Sequence, residues 1–156
     1  MAGLTALLLL SAPRIFGGEP ATPPAAPVQQ VELQGRAVCL AEELHSRYQA
    51  ELPTRHQHLW GFKATDGKCY TLLAGKYSEA IFLDERVRAK DLKVKARLFP
   101  NTQVIELTYF HSVKNGKLQD LYYYCDVCAI KTVSPQVCAC CQAPVVLVEK
   151  PLGQDE

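Results

Sequence analysis

The sequence predicts a mainly β protein, a small barrel of short strands with one short helix, followed by a cysteine-rich lobe near the C-terminus. Three observations predict this fold class. Short runs of β-branched and aromatic residues are separated by the turn-forming pairs Asp66-Gly67 and Asn115-Gly116. Residues 93–99 (KVKARLF) alternate between charged and apolar side chains, which is typical of a strand with one buried face. Five of the seven cysteines fall between Cys125 and Cys141.

The N-terminus differs in composition from the rest of the chain. Residues 3–10 (GLTALLLL) are apolar, which resembles the hydrophobic part of a secretory signal, and this run is too short to span a bilayer. We therefore expect a leader over residues 1–16 and an exported protein, periplasmic or extracellular, without a membrane span in its mature form. No Lys or Arg precedes the apolar run, so the alternative is a frayed apolar N-terminus on a cytoplasmic protein.

A linker is predicted over residues 17–30 (GGEPATPPAAPVQQ). The segment contains four prolines, no aromatic residue and one charge. It therefore buries too little apolar surface to offset the entropy lost on ordering, and we expect it to be disordered.

The predicted barrel domain covers residues 31–124. Its first strand, residues 31–40, contains Gly35, where we expect a bend or a bulge. A hairpin over residues 59–73 follows, and then a short helix over residues 78–87 with Ser78 placed to cap it. Further strands are predicted at residues 93–99, 104–113 and 118–124, and a short apolar strand at 145–148 pairs back along the domain.

Three strands, a helical connector and further strands are the element order of the OB-fold, a small Greek-key barrel. The chain resembles the OB-type pattern in three stretches, namely V-x-L-x-G-R-A-V from Val31, W-G-F-x-x-x-D-G-K-C-Y-x-L from Trp60, and D-L-K-V-K-A-R-L from Asp91. The resemblance covers about residues 31–113 and implies an OB-fold-like barrel. It departs from the pattern at Ala96, where the fourth strand of the pattern has Gly.

A second resemblance extends over the whole chain. The stretches L-Y-Y-Y-C-D-V-C-A-I and C-A-C-C-Q-A-P-V-V-L-V-E-K-P-L resemble uncharacterised exported proteins of planctomycete-like bacteria. This resemblance implies the same architecture and carries no known activity.

The cysteine cluster carries the strongest chemical signal in the sequence. Cys125, Cys128, Cys138 and Cys141 form two C-x2-C pairs separated by nine residues. Two such turns can present four thiolates to one tetrahedral ion, and Zn²⁺ accepts four thiolates without redox chemistry. We predict a zinc-ribbon-like lobe over residues 125–150 with structural Zn²⁺, followed by a polar tail over residues 151–156. Cys140 is the alternative to Cys141 as fourth ligand.

Two other chemistries fit the same cysteines. Export favours disulfides, although seven cysteines cannot all pair within one chain. The adjacent thiols of Cys140 and Cys141 could instead exchange disulfides or carry Cu(I), which prefers soft ligands. A redox C-x2-C pair normally begins a helix, whereas the pair at Cys125 follows a predicted strand, and this disfavours the thiol-active interpretation.

The remaining candidates have less specific patterns. Cys39 and Cys69 lie in apolar stretches and are predicted as core residues rather than as a disulfide. His56 and His58 face the same way on an extended chain, a geometry that metal sites use. No third ligand is visible at a telling spacing, so we expect these two histidines in a solvated loop and assign them no site.

Charge and motif content narrow the function. The net charge of +1 provides no long-range field toward nucleic acid. The row of Lys93, Lys95 and Arg97 on one strand is interpreted as a solvated face, with oligonucleotide or glycan binding as the alternative. The sequence has no catalytic nucleophile–base motif and no nucleotide-binding loop. We therefore expect a non-enzymatic binding or assembly module, whose partner is a protein or small ligand of the cell envelope.

Overall fold

The structure is a computed structural model that describes residues 26–153. The predicted leader and residues 17–25 of the predicted linker lie outside the described residues, as do residues 154–156 of the predicted tail. The first strand begins at Gln29, so the last two residues of the predicted linker belong to the fold.

Strands dominate the described chain, as the sequence predicts. The eight strands are β1 (Gln29–Cys39), β2 (Trp60–Ala64), β3 (Cys69–Leu72), β4 (Leu92–Leu98), β5 (Val104–Lys114), β6 (Lys117–Cys125), β7 (Ile130–Thr132) and β8 (Val146–Pro151). The three helices within residues 26–153 are α1 (Leu40–Tyr48), α2 (Glu79–Leu83) and α3 (Glu85–Arg88).

The first five strands pair in a closed circuit. β1 lies between β2 and β4 in antiparallel pairings, β2 pairs with β3, and β4 pairs with β5. The circuit closes where β3 runs parallel to β5, with Thr71 opposite Val104 and Leu72 opposite Ile105. The helices α2 and α3 lie between β3 and β4 in the chain, and they pack their buried residues Ile81 and Val87 into the same core as the strands.

Gly35 is the position at which β1 passes from one neighbour to the other. It stands opposite both Ala64 of β2 and Leu92 of β4, and neither pairing shifts register there. A Cβ atom at this position would lie 2.0 Å from the carbonyl oxygen of Lys63. Glycine is therefore required by the close approach of β2, whereas the predicted bulge is not found at this residue of the described strand.

Local turn chemistry explains the two hairpins. Gly67 adopts a φ of 86° between β2 and β3, and Asn115 and Gly116 adopt φ angles of 51° and 74° between β5 and β6. Tight hairpins need such left-handed residues, and Gly and Asn reach them at the lowest cost. Both predicted hairpins are confirmed.

The strand β6 connects the circuit to the cysteine-rich region. Its first residues pair with β5, from Lys117 opposite Lys114 to Gln119 opposite Ser112. Its last residues pair with β7, ending with Cys125 opposite Ile130, and β8 lies along the other edge from Gln119 to Tyr124. The predicted boundary at residue 124 therefore falls within a continuous strand.

The prediction of one short helix is wrong, because the described residues contain three. The predicted segment 78–87 is divided at Asp84, whose backbone is extended and whose carboxylate accepts a hydrogen bond from the backbone N–H of Arg86 at the start of α3. Ser78 does not cap α2 with its side chain; its hydroxyl accepts from Gly75 N–H and donates to the carbonyl oxygen of Leu73. The helix α1 has only Leu40 buried and was not predicted.

No helix within residues 26–153 is long and apolar enough to span a bilayer.

Candidate metal centre

The first pair of predicted ligands lies in the turn between β6 and β7. Cys125 is the last residue of β6, and Cys128 follows in the turn that leads to β7. The next residue, Ala129, has a φ of 53°, which reverses the chain so that Ile130 pairs with Cys125. A single left-handed residue after a C-x2-C pair thus brings both thiols to the inside of one turn.

The second pair repeats this arrangement before β8. Cys138 and Cys141 lie in a turn closed by two backbone hydrogen bonds, from Gln142 N–H to the carbonyl oxygen of Cys138 and from Cys138 N–H to the carbonyl oxygen of Ala143, both 2.9 Å. Gln142 directly follows the second cysteine and has a φ of 61°. The two turns therefore share the same backbone plan.

The two turns face each other. The Sγ atoms of Cys125, Cys128, Cys138 and Cys141 all lie within 4.8 Å of one another, and those of Cys125 and Cys141 are 3.5 Å apart. An ion with four Zn–S bonds of about 2.3 Å separates its sulfur atoms by about 3.8 Å at the tetrahedral angle. The described chain, which includes all seven cysteines, contains no disulfide. The four predicted ligands are therefore close enough to hold one metal ion.

Backbone hydrogen bonds favour the thiolate form of Cys138. Hydrogen bonds from the backbone N–H groups of Cys141 and Cys140 hold the pKa of Cys138 at about 7. The thiol of Cys128 lies against those of Cys141 and Cys140, and these contacts raise its pKa above the ordinary value. Without a metal, four thiolates so close together would repel one another, so the thiols do not all ionise. A bound cation removes this repulsion and keeps its thiol ligands deprotonated.

Accessibility differs between the ligands. Cys125 and Cys138 are 1% and 4% exposed, whereas Cys128 and Cys141 are more accessible. Cys140 is exposed and lines a cavity of about 560 Å³ beside the cluster, together with Ile130, Val137 and Val145. The set of four mutually close sulfur atoms contains Cys141 and not Cys140.

Cys39, predicted as a core residue, is buried, and Cys69 is half-buried.

The two histidines that were assigned no site have other potential metal ligands beside them. The side-chain donor atoms of Cys39, Glu42, His56 and His58 lie within 4.8 Å of one another. The sequence signal was Cys39-x2-Glu42 followed by His56-x-His58. This spacing can be recognised as a possible metal site only when α1 is known to begin directly after Cys39.

Neighbouring carboxylates offset two of the three positive charges of the basic row on β4. Lys93 and Lys95 both pair with Glu32, at 3.4 and 3.5 Å, and Arg97 pairs with Glu106 at 2.9 Å. The Lys93 ammonium lowers the pKa of Glu32, so this carboxylate stays ionised. The face therefore carries mixed charge, as expected of a solvated strand.

Comparison of the chain with protein-family models, curated proteins and solved structures finds no match.

Proposed function

We propose that this protein is a non-enzymatic, exported binding or assembly module with an OB-fold-like barrel and a zinc-ribbon-like lobe held by structural Zn²⁺. The observation that carries the proposal is the convergence of Cys125, Cys128, Cys138 and Cys141 within 4.8 Å. Four thiolates in a tetrahedral arrangement suit Zn²⁺, which needs neither an open coordination position nor a redox change to stabilise a fold.

A structural role is supported by the composition of the lobe. Within residues 26–153, the three residues of β7 pair only with the end of β6, and Ile130 and Lys131 are exposed. Val127, Val137 and Val146 around the cluster are exposed as well. A region with so little buried apolar surface gains its stability from metal binding, as small zinc domains do.

The barrel part of the proposal is supported by strand pairing. An OB-fold is a five-stranded Greek-key barrel, and the circuit β1-β2-β3-β5-β4 with helices between β3 and β4 agrees with that plan. The zinc-ribbon part is supported by the three-stranded arrangement β7-β6-β8 next to two cysteine turns.

The location and the partner are proposed from the sequence. The apolar segment at residues 3–10 and the Pro/Ala-rich stretch after it favour export. We infer a protein or small ligand of the cell envelope as the partner. Nucleic acid is disfavoured, because the carboxylates of Glu32 and Glu106 offset two of the three positive charges of the basic row on β4.

The test of the zinc lobe is the zinc content of the chain together with its free-thiol count before and after unfolding without reductant. We expect zinc in the wild type, and loss of one zinc per chain together with lower thermal stability in Cys138→Ser. The matched control is Cys140→Ser, which removes a neighbouring exposed thiol and should keep the zinc. Equal zinc content in the wild type and Cys138→Ser would refute the proposed lobe.

The same experiment distinguishes the proposed zinc lobe from the thiol-active alternative. Bound zinc predicts that the thiols at Cys125 and Cys138 react with a thiol probe only after unfolding or chelation. Rapid reaction of the cluster's thiols, above all the exposed pair Cys140 and Cys141, in the native protein as purified and without a chelator would instead favour a disulfide exchanger or copper carrier.

A further inference from the structure

A second cluster of metal-binding side chains lies away from the cysteine lobe, where β1 ends and α1 begins. Cys39 is the last residue of β1, and Glu42 lies in the first turn of α1. His56 and His58 belong to the segment that precedes β2. A backbone hydrogen bond of 2.8 Å from Leu40 N–H to Leu59 O holds this segment against the start of α1.

The donor atoms converge on one point. Nε2 of His56 lies 3.6 Å from Sγ of Cys39 and 3.2 Å from Oε1 of Glu42. The same Oε1 lies 3.5 Å from Nδ1 of His58. Around a tetrahedral zinc ion, a sulfur and a nitrogen ligand are about 3.6 Å apart, and a nitrogen and an oxygen ligand about 3.4 Å. These three separations therefore match three of the six edges of one coordination tetrahedron, and the remaining pairs of donor atoms lie within 4.8 Å.

A catalytic triad does not explain the contacts. In a Cys–His–Glu triad, the two nitrogens of the imidazole face the thiol and the carboxylate separately. Here the same Nε2 atom of His56 faces both Cys39 and Glu42. Cys39 is also only 4% exposed, which keeps its sulfur away from a substrate. Shared use of one nitrogen by a sulfur and an oxygen is the pattern expected when all three point at a common ion.

Charge favours a divalent ion at this point. As ligands of an ion, a Cys39 thiolate and a Glu42 carboxylate would supply two negative charges, and the two imidazoles would bind as neutral ligands. The side chains of Glu42 and His58 are 50% and 48% exposed, so solvent reaches one side of the cluster. The ring of His58 stacks on Trp60 at 4.8 Å between centroids, and the guanidinium of Arg88 lies 4.4 Å from the centroid of the same Trp60 ring. This packing fixes the orientation of His58.

We propose that Cys39, Glu42, His56 and His58 form a second binding site for one divalent transition-metal ion, with Zn²⁺ as the preferred occupant. A mixed set of one thiolate, two imidazoles and one carboxylate suits Zn²⁺ better than the hard cations Mg²⁺ and Ca²⁺, which select oxygen ligands. The ion links the end of β1, the start of α1 and the segment before β2. It therefore clamps residues 49–59, which form neither helix nor strand in the described chain.

The experiment is native mass spectrometry of the full chain after equilibration with Zn²⁺ and removal of the excess. We expect two zinc ions per chain in the wild type and one in Glu42→Gln and in His58→Ala, which change half-exposed side chains and should not unfold the protein. The matched controls are Glu51→Gln and His45→Ala, which should keep two ions because neither residue belongs to the cluster.

A spectroscopic measurement assigns the ligands. With Co²⁺ in place of Zn²⁺, His58→Ala should remove the d–d bands of a mixed sulfur, nitrogen and oxygen site and leave those of the four-thiolate site. A wild-type zinc content that is unchanged in both Glu42→Gln and His58→Ala, whether one ion or two, would overturn the inference. A single ion that is lost in Cys138→Ser and kept in His58→Ala would overturn it while supporting the proposed zinc lobe, so the two failures are distinguishable.

Discussion

At the scale of single residues, Asp84 is the charged side chain on which the packing of the two short helices depends. Its side chain is only 7% exposed and accepts three kinds of hydrogen bond, from the guanidinium of Arg86 at 2.7 Å, the backbone N–H of Arg86 at 2.9 Å and the hydroxyl of the buried Tyr123 at 2.8 Å. These bonds, above all those from Arg86, lower the pKa of Asp84 from 3.8 to about 2. Burial and the hydrogen bond to Asp84 raise the pKa of Tyr123, which therefore stays protonated and donates.

The difference between the folded and unfolded pKa of Asp84 predicts how the free energy of unfolding depends on pH. Because the carboxyl binds its proton less readily in the folded state, its stabilisation is complete above the unfolded pKa and is lost as the pH falls through about 4 to about 2. The loss is up to about 2 kcal/mol. We expect Asp84→Asn to flatten this part of the pH dependence and to lower the free energy of unfolding at neutral pH. Urea unfolding at several pH values measures both effects.

The control is Asp91→Asn, since Asp91 forms an exposed ion pair with Arg36 at 3.3 Å. Exposed pairs contribute about 0–1 kcal/mol, so this variant should keep nearly the whole acid dependence of the wild type. An Asp84→Asn variant with the same acid dependence as the wild type would show that other carboxyl groups cause it.

At the scale of elements, the two cysteine turns depend on one left-handed residue each, and this predicts which substitutions they tolerate. Ala129 has a φ of 53°, where a β-branched side chain is strongly disfavoured. Ala129→Val should therefore destabilise the turn by about 1–2 kcal/mol and weaken zinc binding roughly 10-fold. The matched control is Ala139→Val in the second turn, because Ala139 is also exposed and is not a positive-φ residue. Competition with a chelator measures the zinc affinity of both variants, and equal affinities would contradict the prediction.

Elements with local turn signals could be predicted from the sequence, whereas α1 could not. The hairpins around Asp66-Gly67 and Asn115-Gly116 are set by residues that tolerate positive φ angles, and this information lies within the turns themselves. The helix α1 buries only Leu40 and is held by contacts to distant residues, such as Glu43 with Lys63 at 2.9 Å. Such contacts leave no periodic apolar pattern in the sequence. The cluster of Cys39 and Glu42 with the two histidines was missed for the same reason.

At the scale of the whole molecule, the closure of the strand circuit was expected from the resemblance to the OB-type pattern, whereas the sharing of β6 between the circuit and the cysteine-rich region was not predicted. The parallel pairing of β3 with β5 joins Thr71 to Val104 across a long stretch of chain, and no local pattern specifies such a contact. The four cysteines of the lobe could be predicted because their spacing alone implies two facing turns. The structure places Cys141 rather than Cys140 in the set of four mutually close sulfur atoms.

The way β7 and β8 pair with β6 predicts which strands unfold when zinc is removed from the cysteine turns. β7 has three residues and begins two residues after Cys128. Among the described strands it pairs only with the end of β6, so it depends on the cysteine turns. β8 has six residues along β6, and Glu149 anchors it through bonds of 2.7 Å from Lys90 and 2.6 Å from Ser112. We therefore expect chelation to unfold the turns and β7 while β8 and the strand circuit remain folded.

Hydrogen–deuterium exchange with and without a chelator measures this difference. The amides of the β7 residues Lys131 and Thr132 should lose protection when zinc is removed, whereas those of Leu147 and Val148 in β8 should keep most of it. Glu149→Gln provides the comparison, because weakening the anchor should extend the loss to β8 only in the chelated protein. Equal loss in β7 and β8 of the wild type would mean that the metal, rather than Glu149, holds β8 in place. Unchanged protection throughout would mean that the lobe folds without zinc. The extent of unfolding after chelation thus distinguishes a metal that stabilises one end of the protein from a metal on which the whole fold depends.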